Sequence, residues 1–243
     1  MAHLGEQILQ THKNNTENEG LTIQIQNSSV FLIALSFACE ALISCTKQLN
    51  SIDEECGDGN YGNILAQSAN AIKIEMKENR ISTRPSIAFI QISRIIEKVS
   101  GGLEGGIYSL FFDAAAKSFQ KFQNDKQLTA DIWLVALSSA NQVISEISGI
   151  SIRDRSMLDA LISAELKLKD SLNLDLNPIN AFGKAVEAAE TSAMQTLHMP
   201  EHRFGFTNHK TFKYPDSGAH AVSIWMRAAY EGVKLKFNCQ YDM

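Results

Sequence analysis

Leu65, Ala69, Ile72 and Met76 fall four, three and four residues apart, and Ile87, Ile92, Ile95, Ile96 and Val99 repeat a similar rhythm. Such spacing puts the apolar side chains of successive turns on one face, the mark of helices packed by a single stripe. Followed along the chain, it predicts eight helices. The first opens at the capping run Asn27-Ser28-Ser29 and reaches about Leu49. The next run from Asn63 through Met76 and from Pro85 to Val99, followed by Ile107–Phe122 and a helix capped by Thr129 that extends through Ile147. Ser156–Asp170, Ile179–Leu197 and Ser217–Lys236 complete the set, with Asn177-Pro178 supplying a cap and a first-turn proline. Strand signal is almost absent, because Ile150 to Ile152 alternates over too short a span. Only four prolines interrupt 243 residues.

The connections carry the second pattern. Those rich in Gly and Asp alternate with plain ones, and in an up-down helical array alternate connections lie at the same end. The loops Asp53–Gly62, Ser100–Gly106, Ser148–Arg155 and Met199–Asp216 are therefore expected on one rim. The expected fold is an all-α, eight-helix antiparallel barrel with its ligand loops at that rim. Residues 1–27, which are polar, are expected to be flexible, 28–238 to form the barrel, and 239–243 to form a tail.

Charge and cysteine content narrow the function classes. The 22 Lys and Arg against 27 Asp and Glu give a net charge of −5, which argues against a nucleic-acid surface. Val30 to Cys45 is the one apolar run of membrane character, but it has only 16 residues and contains Glu40, too short and too polar to span. Cys39, Cys45, Cys56 and Cys239 form no CxxC pair, and no early apolar centre marks a signal peptide. A reducing, cytoplasmic setting is expected.

Two loops bear on chemistry. In Asp53-Glu54-Glu55-Cys56-Gly57-Asp58-Gly59-Asn60-Tyr61-Gly62, the side-chain oxygens of Asp53, Asp58 and Asn60 are separated by glycines. They can fold around a hard cation, or they can form an acidic turn of solvated charges; the spacing is not that of an EF-hand. Ser100-Gly101-Gly102-Leu103-Glu104-Gly105-Gly106 precedes a helix and can offer backbone N–H groups to an anion. No Lys-Ser/Thr pair follows, so it is not a Walker loop. Gly-rich connectors between helices are also ordinary.

Leu49-Asn50, Asp53 and Gly57-Asp58-Gly59-Asn60-Tyr61-Gly62 together resemble the metal-binding signature of the nucleotide-binding L domain (DhaL-type) of dihydroxyacetone kinases. Further along, Gly101-Gly102, Gly105, Tyr108 and Leu110-Phe111-Phe112 resemble that family's second loop and helix. Asp154-Arg155-Ser156-Met157-Leu158-Asp159-Ala160-Leu161, Pro215-Asp216-Ser217-Gly218-Ala219 and Trp225-Met226-Arg227-Ala228 are similar to its later motifs. The likeness covers roughly residues 29–236, and the eukaryotic triokinase/FMN cyclase branch is most similar in the last loop. The resemblance implies a DhaL-like barrel that binds ATP, with two Mg²⁺ ions held by three aspartates and bridging the phosphates. It also implies a separate K-type domain or partner subunit that holds the triose, and it leaves a homodimer open. By position it makes Asp53, Asp58 and Asn60 the metal ligands. Gly101, Gly102, Glu104, Ser156, Met157, Arg203, Lys210 and Asp216 become the nucleotide-contacting set.

Departures from the family pattern fall in the site. Asn60 stands for the third metal-binding aspartate, Leu103-Glu104 for a hydroxyl pair that receives phosphate, and Arg153 for a glycine. Glu104 is either a replacement metal ligand for the charge lost at Asn60 or drift in a site that no longer holds ATP. Tyr61, which takes the place of a smaller or imidazole side chain, either stacks on a ligand or closes the site. Lys210, at a position that is arginine in bacterial relatives, is a phosphate-facing cation or a surface lysine. His202, His209 and His220 are expected to be solvated or structural. The implied function is the ATP- and Mg²⁺-binding domain of a dihydroxyacetone (glycerone) kinase-type phosphotransferase. The alternative is a catalytically impaired barrel that binds or regulates a partner. A closed helical barrel can also enclose a cavity for a lipid or other apolar ligand, although a packed core explains the same abundance of Ile, Leu and Phe.

Overall fold

The computed structural model describes residues 28–122, 129–203, 206–208 and 211–241. Among these residues the chain forms α1 (Ser28–Ser44), α2 (Thr46–Asp53), α3 (Tyr61–Lys77), α4 (Pro85–Val99) and α5 (Gly102–Gln120). It continues as α6 (Ala130–Ser148), α7 (Met157–Asn173), α8 (Pro178–Gln195) and α9 (Ser217–Tyr241). The expected first helix is split. At Cys45 the axis bends by 58° between α1 and α2. There Thr46 Oγ1 donates back to the Ile43 carbonyl at 2.7 Å, the kind of side-chain bond that loosens a helical ladder. A small antiparallel hairpin, β1 (Glu201–Arg203) and β2 (Phe206–Asn208), also lies in the long polar segment, where no strand was expected.

α3 packs on α1 and then on α4, and the sequence of neighbours continues α5, α6, α7, α8 and α9 before α9 returns to α1. This closes a ring of eight helices, with α2 lying across the rim against α3 and α9. The apolar stripes face inward, and at one level of the interior Phe89 sits edge-on to Phe112, Phe119 and Trp133 at 5.2–5.9 Å. On the outer face, Arg227 of α9 clamps Glu190 of α8 through two bonds at 2.6 and 2.7 Å. Lys73 of α3 pairs with Glu40 of α1. An apolar cavity of about 330 Å³ remains inside the ring, bordered by Val30, Leu42, Phe111, Trp133, Leu168 and Trp225.

Helix ends follow the sequence chemistry with instructive exceptions. Asn177 Oδ1 accepts from Ile179 N at 2.9 Å, with Pro178 in the first turn. Thr129 occupies the N-cap of α6 but makes no side-chain capping bond. α5 begins at Gly102, so most of the expected glycine loop is the first turn of a helix. Gly105 is glycine for packing: a Cβ there would lie 2.4 Å from the Ser100 carbonyl oxygen. Among the described residues no single helix is long and apolar enough to cross a membrane.

Candidate functional site

α2 delivers side chains to the bare N-terminus of α3, whose first amides have no partners within the helix. Asp53 Oδ2 accepts from the backbone N–H groups of Gly59, Asn60 and Tyr61 at 3.1, 3.2 and 3.4 Å. Asn50 Oδ1 accepts from Asn63 N at 3.1 Å. Asn60 is the formal N-cap of α3, yet its own side chain makes no capping bond, so Asp53 caps this helix from seven positions upstream. The turn between them is tight. A Cβ on Gly57 would come within 2.6 Å of the Asp53 carboxylate, and one on Gly62 within 2.1 Å of the Thr46 carbonyl oxygen.

The same loop is tied to the far end of the chain. Asp53 Oδ1 accepts from Ser217 Oγ at 3.0 Å. Glu55 accepts from Lys213 N at 2.8 Å with one oxygen and from Tyr214 N at 2.9 Å with the other. From the opposite side, Arg155 donates to the Tyr214 carbonyl at 2.8 Å and stacks on Phe212, its guanidinium carbon 3.7 Å from the ring centroid. Arg155 is 2% exposed, and its Nη1 lies 3.8 Å from Asp216 Oδ2. The segment 212–216 is thus held between the first loop and the third.

The third loop holds an unusual backbone. Arg153 and Arg155 both take positive φ, 73° and 59°, a region that costs a non-glycine residue energy and persists only where other bonds impose it. Asp159 imposes it, accepting from the backbone N–H of Arg153 and of Ser156. Ser156 completes the capping box by accepting from Leu158 N at 3.2 Å. Burial pushes the Asp159 carboxyl up and these amide bonds pull it back. Asp216, 3% exposed, caps α9 by accepting from Ala219 N at 2.7 Å.

Tyr61 is where the loops meet. A Cβ on Gly218 would lie 3.3 Å from both Tyr61 Oη and Met157 Cβ, and 3.1 Å from Asp216 Oδ1. Burial, followed by the nearby Tyr108, Asp216 and Glu104, holds the Tyr61 phenol well above its ordinary range. Burial likewise pushes Tyr108 up to about 12. Tyr108 Oη lies beside Tyr61 and Trp225, yet neither it nor Trp225 Nε1 makes a hydrogen bond of normal geometry. Glu104 sits in the first turn of α5 with its carboxylate over Gly102, whose φ is +79°. Gly101 beside it faces open space.

The structure therefore brings Asp53, Tyr61, Glu104, Met157 and Asp216 to one end of the ring, as the alternation of loops predicts. Ser156 and Asp216 are engaged as helix caps, and Asp53 serves both as cap and as tie. Arg203 is placed only by its backbone in β1, and Lys210 and His209 lie outside the described residues. Sequence reasoning gave Glu55, Ser217 and Tyr108 no role, although all three stand within the loops and motifs it singled out. Glu55 carries no local signal, because its partners are 158 and 159 positions away.

For a hard divalent cation the rim offers the carboxylates of Asp53 and Asp58 and the amide oxygen of Asn60. Among the described residues no three His, Cys, Asp or Glu side chains cluster to enclose an ion. Asp53 Oδ2 is already surrounded by three N–H groups, and Asp58 Oδ1 accepts from Asn60 N at 3.1 Å. Two carboxylates and one neutral oxygen fit one Mg²⁺ completed by water or phosphate oxygens, and they do not fit a pair of dications.

Comparison with known proteins places this arrangement. The dihydroxyacetone kinase of C. freundii superposes with a TM-score of 0.68 over 89% of this chain and 36% of its own; at 22% identity that likeness is one of fold. Its complex with AMP-PNP and Mg²⁺ gives 0.67 over 90% and 36%. A Solanum lycopersicum protein named for 3,4-dihydroxy-2-butanone kinase is 34% identical across 84% of this chain and 35% of its own length. The Homo sapiens triokinase/FMN cyclase is 28% identical across 82% and 34%. The chain spans about a third of the length of these relatives. The DAK2 domain model matches residues 55–231, from Glu55 in the first loop to the middle of the last helix, and the chain belongs to the DAK2 domain family.

Proposed function

We propose that this chain is the nucleotide-binding domain of a dihydroxyacetone kinase-type phosphotransferase, with ATP and one divalent cation at the rim. The triose would be held by a separate K-type domain or partner, in the cytoplasm. The observation that carries the reading is the convergence of residues from all four rim loops on Tyr61, with Glu104, Met157 and Asp216 around it. The kinase names of the relatives and the AMP-PNP and Mg²⁺ bound to the C. freundii protein support it. Asp53, Asp58 and Asn60 would hold Mg²⁺, which when bound neutralises charge on the phosphates, the main requirement of phosphoryl transfer. Gly101 and Gly102 would present amides to phosphate, Met157 and Asp216 would border the nucleotide, and Arg203 and Lys210 would add cations from the last loop. Arg155 and Glu55 fix the strap that carries Asp216.

A thermal-shift titration of the purified chain with ATP and Mg²⁺ or Mn²⁺ tests the reading, beside Asp58→Ala. A saturable rise lost in the variant supports it; no rise at millimolar nucleotide and metal overturns it. A second reading, an impaired barrel that binds or regulates a partner, is favoured by Asn60 and Glu104. It predicts no nucleotide shift together with specific retention of a protein partner.

A further inference from the structure

We propose that the Ser217 hydroxyl is a built-in competitor for the rim cation: it occupies the one oxygen of Asp53 left to an ion, and so sets how tightly the first loop takes a divalent metal. The inference rests on the rim being a cation site, as proposed above. An ionised carboxylate only accepts, at about four lone-pair positions. In Asp53 these are unequally spent. Oδ2 receives the backbone N–H groups of Gly59, Asn60 and Tyr61 at 3.1, 3.2 and 3.4 Å, all three fixed by the entry into α3. Behind the carboxylate, a Cβ on Gly57 would lie 2.6 Å from Oδ1 and 2.7 Å from Oδ2, so the Gly57 backbone closes that side. Among the described residues Oδ1 has one donor, the Ser217 hydroxyl at 3.0 Å. The exposed Asp58 has no such rival, since its Oδ1 accepts from the neighbouring Asn60 N.

Ser217 is a donor that can be withdrawn. It is the first residue of α9 and 8% exposed, and its hydroxyl swings about one side-chain bond, whereas the amides on Oδ2 move only with the helix. Its backbone is held without it. Asp216 caps the helix through Ala219 N at 2.7 Å, and Gly218 lies against Met157 and Tyr61. The Ser217 hydroxyl hydrogen and a cation both bring positive charge to the same oxygen from the same open side, so one excludes the other. With the rim empty, the hydroxyl stands in for the ion and ties the first loop to the strap. The tie therefore belongs to the empty state. By linkage, a bond that stabilises only the empty state weakens cation binding by its own equilibrium factor. For a hydrogen bond to a charged acceptor that factor is about ten or more.

The test uses Mn²⁺ alone as the probe, its binding read from the electron paramagnetic resonance signal of the free ion. The chains compared are wild type, Ser217→Ala, Ser217→Pro, the hydroxyl-keeping Ser217→Thr, and Asp58→Ala. Proline suits the first position of a helix and so removes the hydroxyl by a second route. Circular dichroism confirms folding and follows thermal unfolding in EDTA and at saturating Mn²⁺. Expected is about tenfold tighter Mn²⁺ binding by the Ala and Pro variants, with wild-type affinity kept by Ser217→Thr. Ser217→Ala should melt about 3–6 °C below wild type in EDTA, a gap that closes at saturating Mn²⁺. A hydroxyl that merely braced the strap would lower Tm equally in both conditions and leave affinity unchanged. That result overturns the competitor role, while the cation reading stands if Asp58→Ala loses binding. Weaker binding by the Ala and Pro variants also overturns it, since Ser217 would then be a ligand. If wild type binds no Mn²⁺ and the Ala or Pro variant does, Ser217 is the competitor and the cation reading of the native chain falls. Binding by none of the proteins overturns both.

Discussion

Asp53 and Asp58 stand on one loop and would be expected to behave alike if both served only a metal; the structure separates them. Asp53→Ala removes the acceptor for three amides at the start of α3 and for the Ser217 hydroxyl. Loss of an N-cap costs about 0.5–2 kcal/mol. The bond from Ser217 to a charged acceptor adds about 1–2 kcal/mol at a half-buried position. Together these give about 2–4 kcal/mol, or roughly 5–15 °C in Tm for a chain of this size. Asp58 is exposed and accepts one local bond, from Asn60 N at 3.1 Å. Its loss should cost about 0.5 kcal/mol or less. The assay is thermal unfolding by circular dichroism in EDTA, so that no bound ion contributes. An Asp53→Ala chain that melts within about 2 °C of wild type would refute the reasoning, as would equal losses for the two variants. The difference also decides which variant is a clean probe of cation binding: Asp58→Ala can report on metal, whereas Asp53→Ala reports on the scaffold as well.

Three further outcomes follow from local geometry. Gly62→Ala should lower stability by about 2–4 kcal/mol in urea unfolding, since its Cβ would meet the Thr46 carbonyl at 2.1 Å and force α2 and α3 apart; a loss below about 1 kcal/mol would show that the helices can separate freely. Tyr108→Phe deletes a buried hydroxyl that lies beside Tyr61 and Trp225 without a hydrogen bond of normal geometry, so stability should stay within about 0.5 kcal/mol of wild type or rise, and a loss above about 1 kcal/mol would show that those two neighbours do bond it. His220 is held below its ordinary value by burial. The neutral form is therefore favoured in the fold, and as pH falls through about 6.5 the unfolded chain gains the proton first and stability drops. His220→Gln should shrink the difference in Tm between pH 7.5 and 5.5; an unchanged difference would assign the acid sensitivity elsewhere.

The ring itself was legible because its cause is local. Stripes such as Leu65, Ala69 and Ile72 specify a helix face without reference to anything distant, and the alternation of acidic and Gly-bearing connections specifies which end they share. Two local readings still failed for physical reasons. The first helix reads as continuous because Cys45 and Thr46 are tolerable helix residues, and only the back-bond of Thr46 to Ile43 shows why the axis turns. The glycines from 101 to 106 read as a loop, but Gly105 is small because Ser100 presses on it inside the helix. Within the site, the resemblance directed attention to Asp53, Met157 and Asp216, and the structure gathers them. The roles of Glu55, Ser217 and Tyr108 were silent because their neighbours are far away in sequence, which leaves no pattern for periodicity to detect. The same blindness hid the structural duties of Ser156 and Asp216, which look in sequence like ligand contacts and act in the fold as caps.

The ties from Asp53 to Ser217 and from Glu55 to Lys213 and Tyr214 span 164, 158 and 159 positions. Contacts of such separation close long loops, and the entropy of that closure must be met before the contacts reward it. The first loop is tied to α3 by the local bonds of Asp53 and Asn50, but the strap bearing Asp216 is tied to it only across the seam where α9 meets α1. The rim is accordingly complete only when the ring is closed. Loss of the last helix would therefore remove Asp216 and Ser217 from the rim together with the seam itself, so the site is bound to the closure of the ring as a whole.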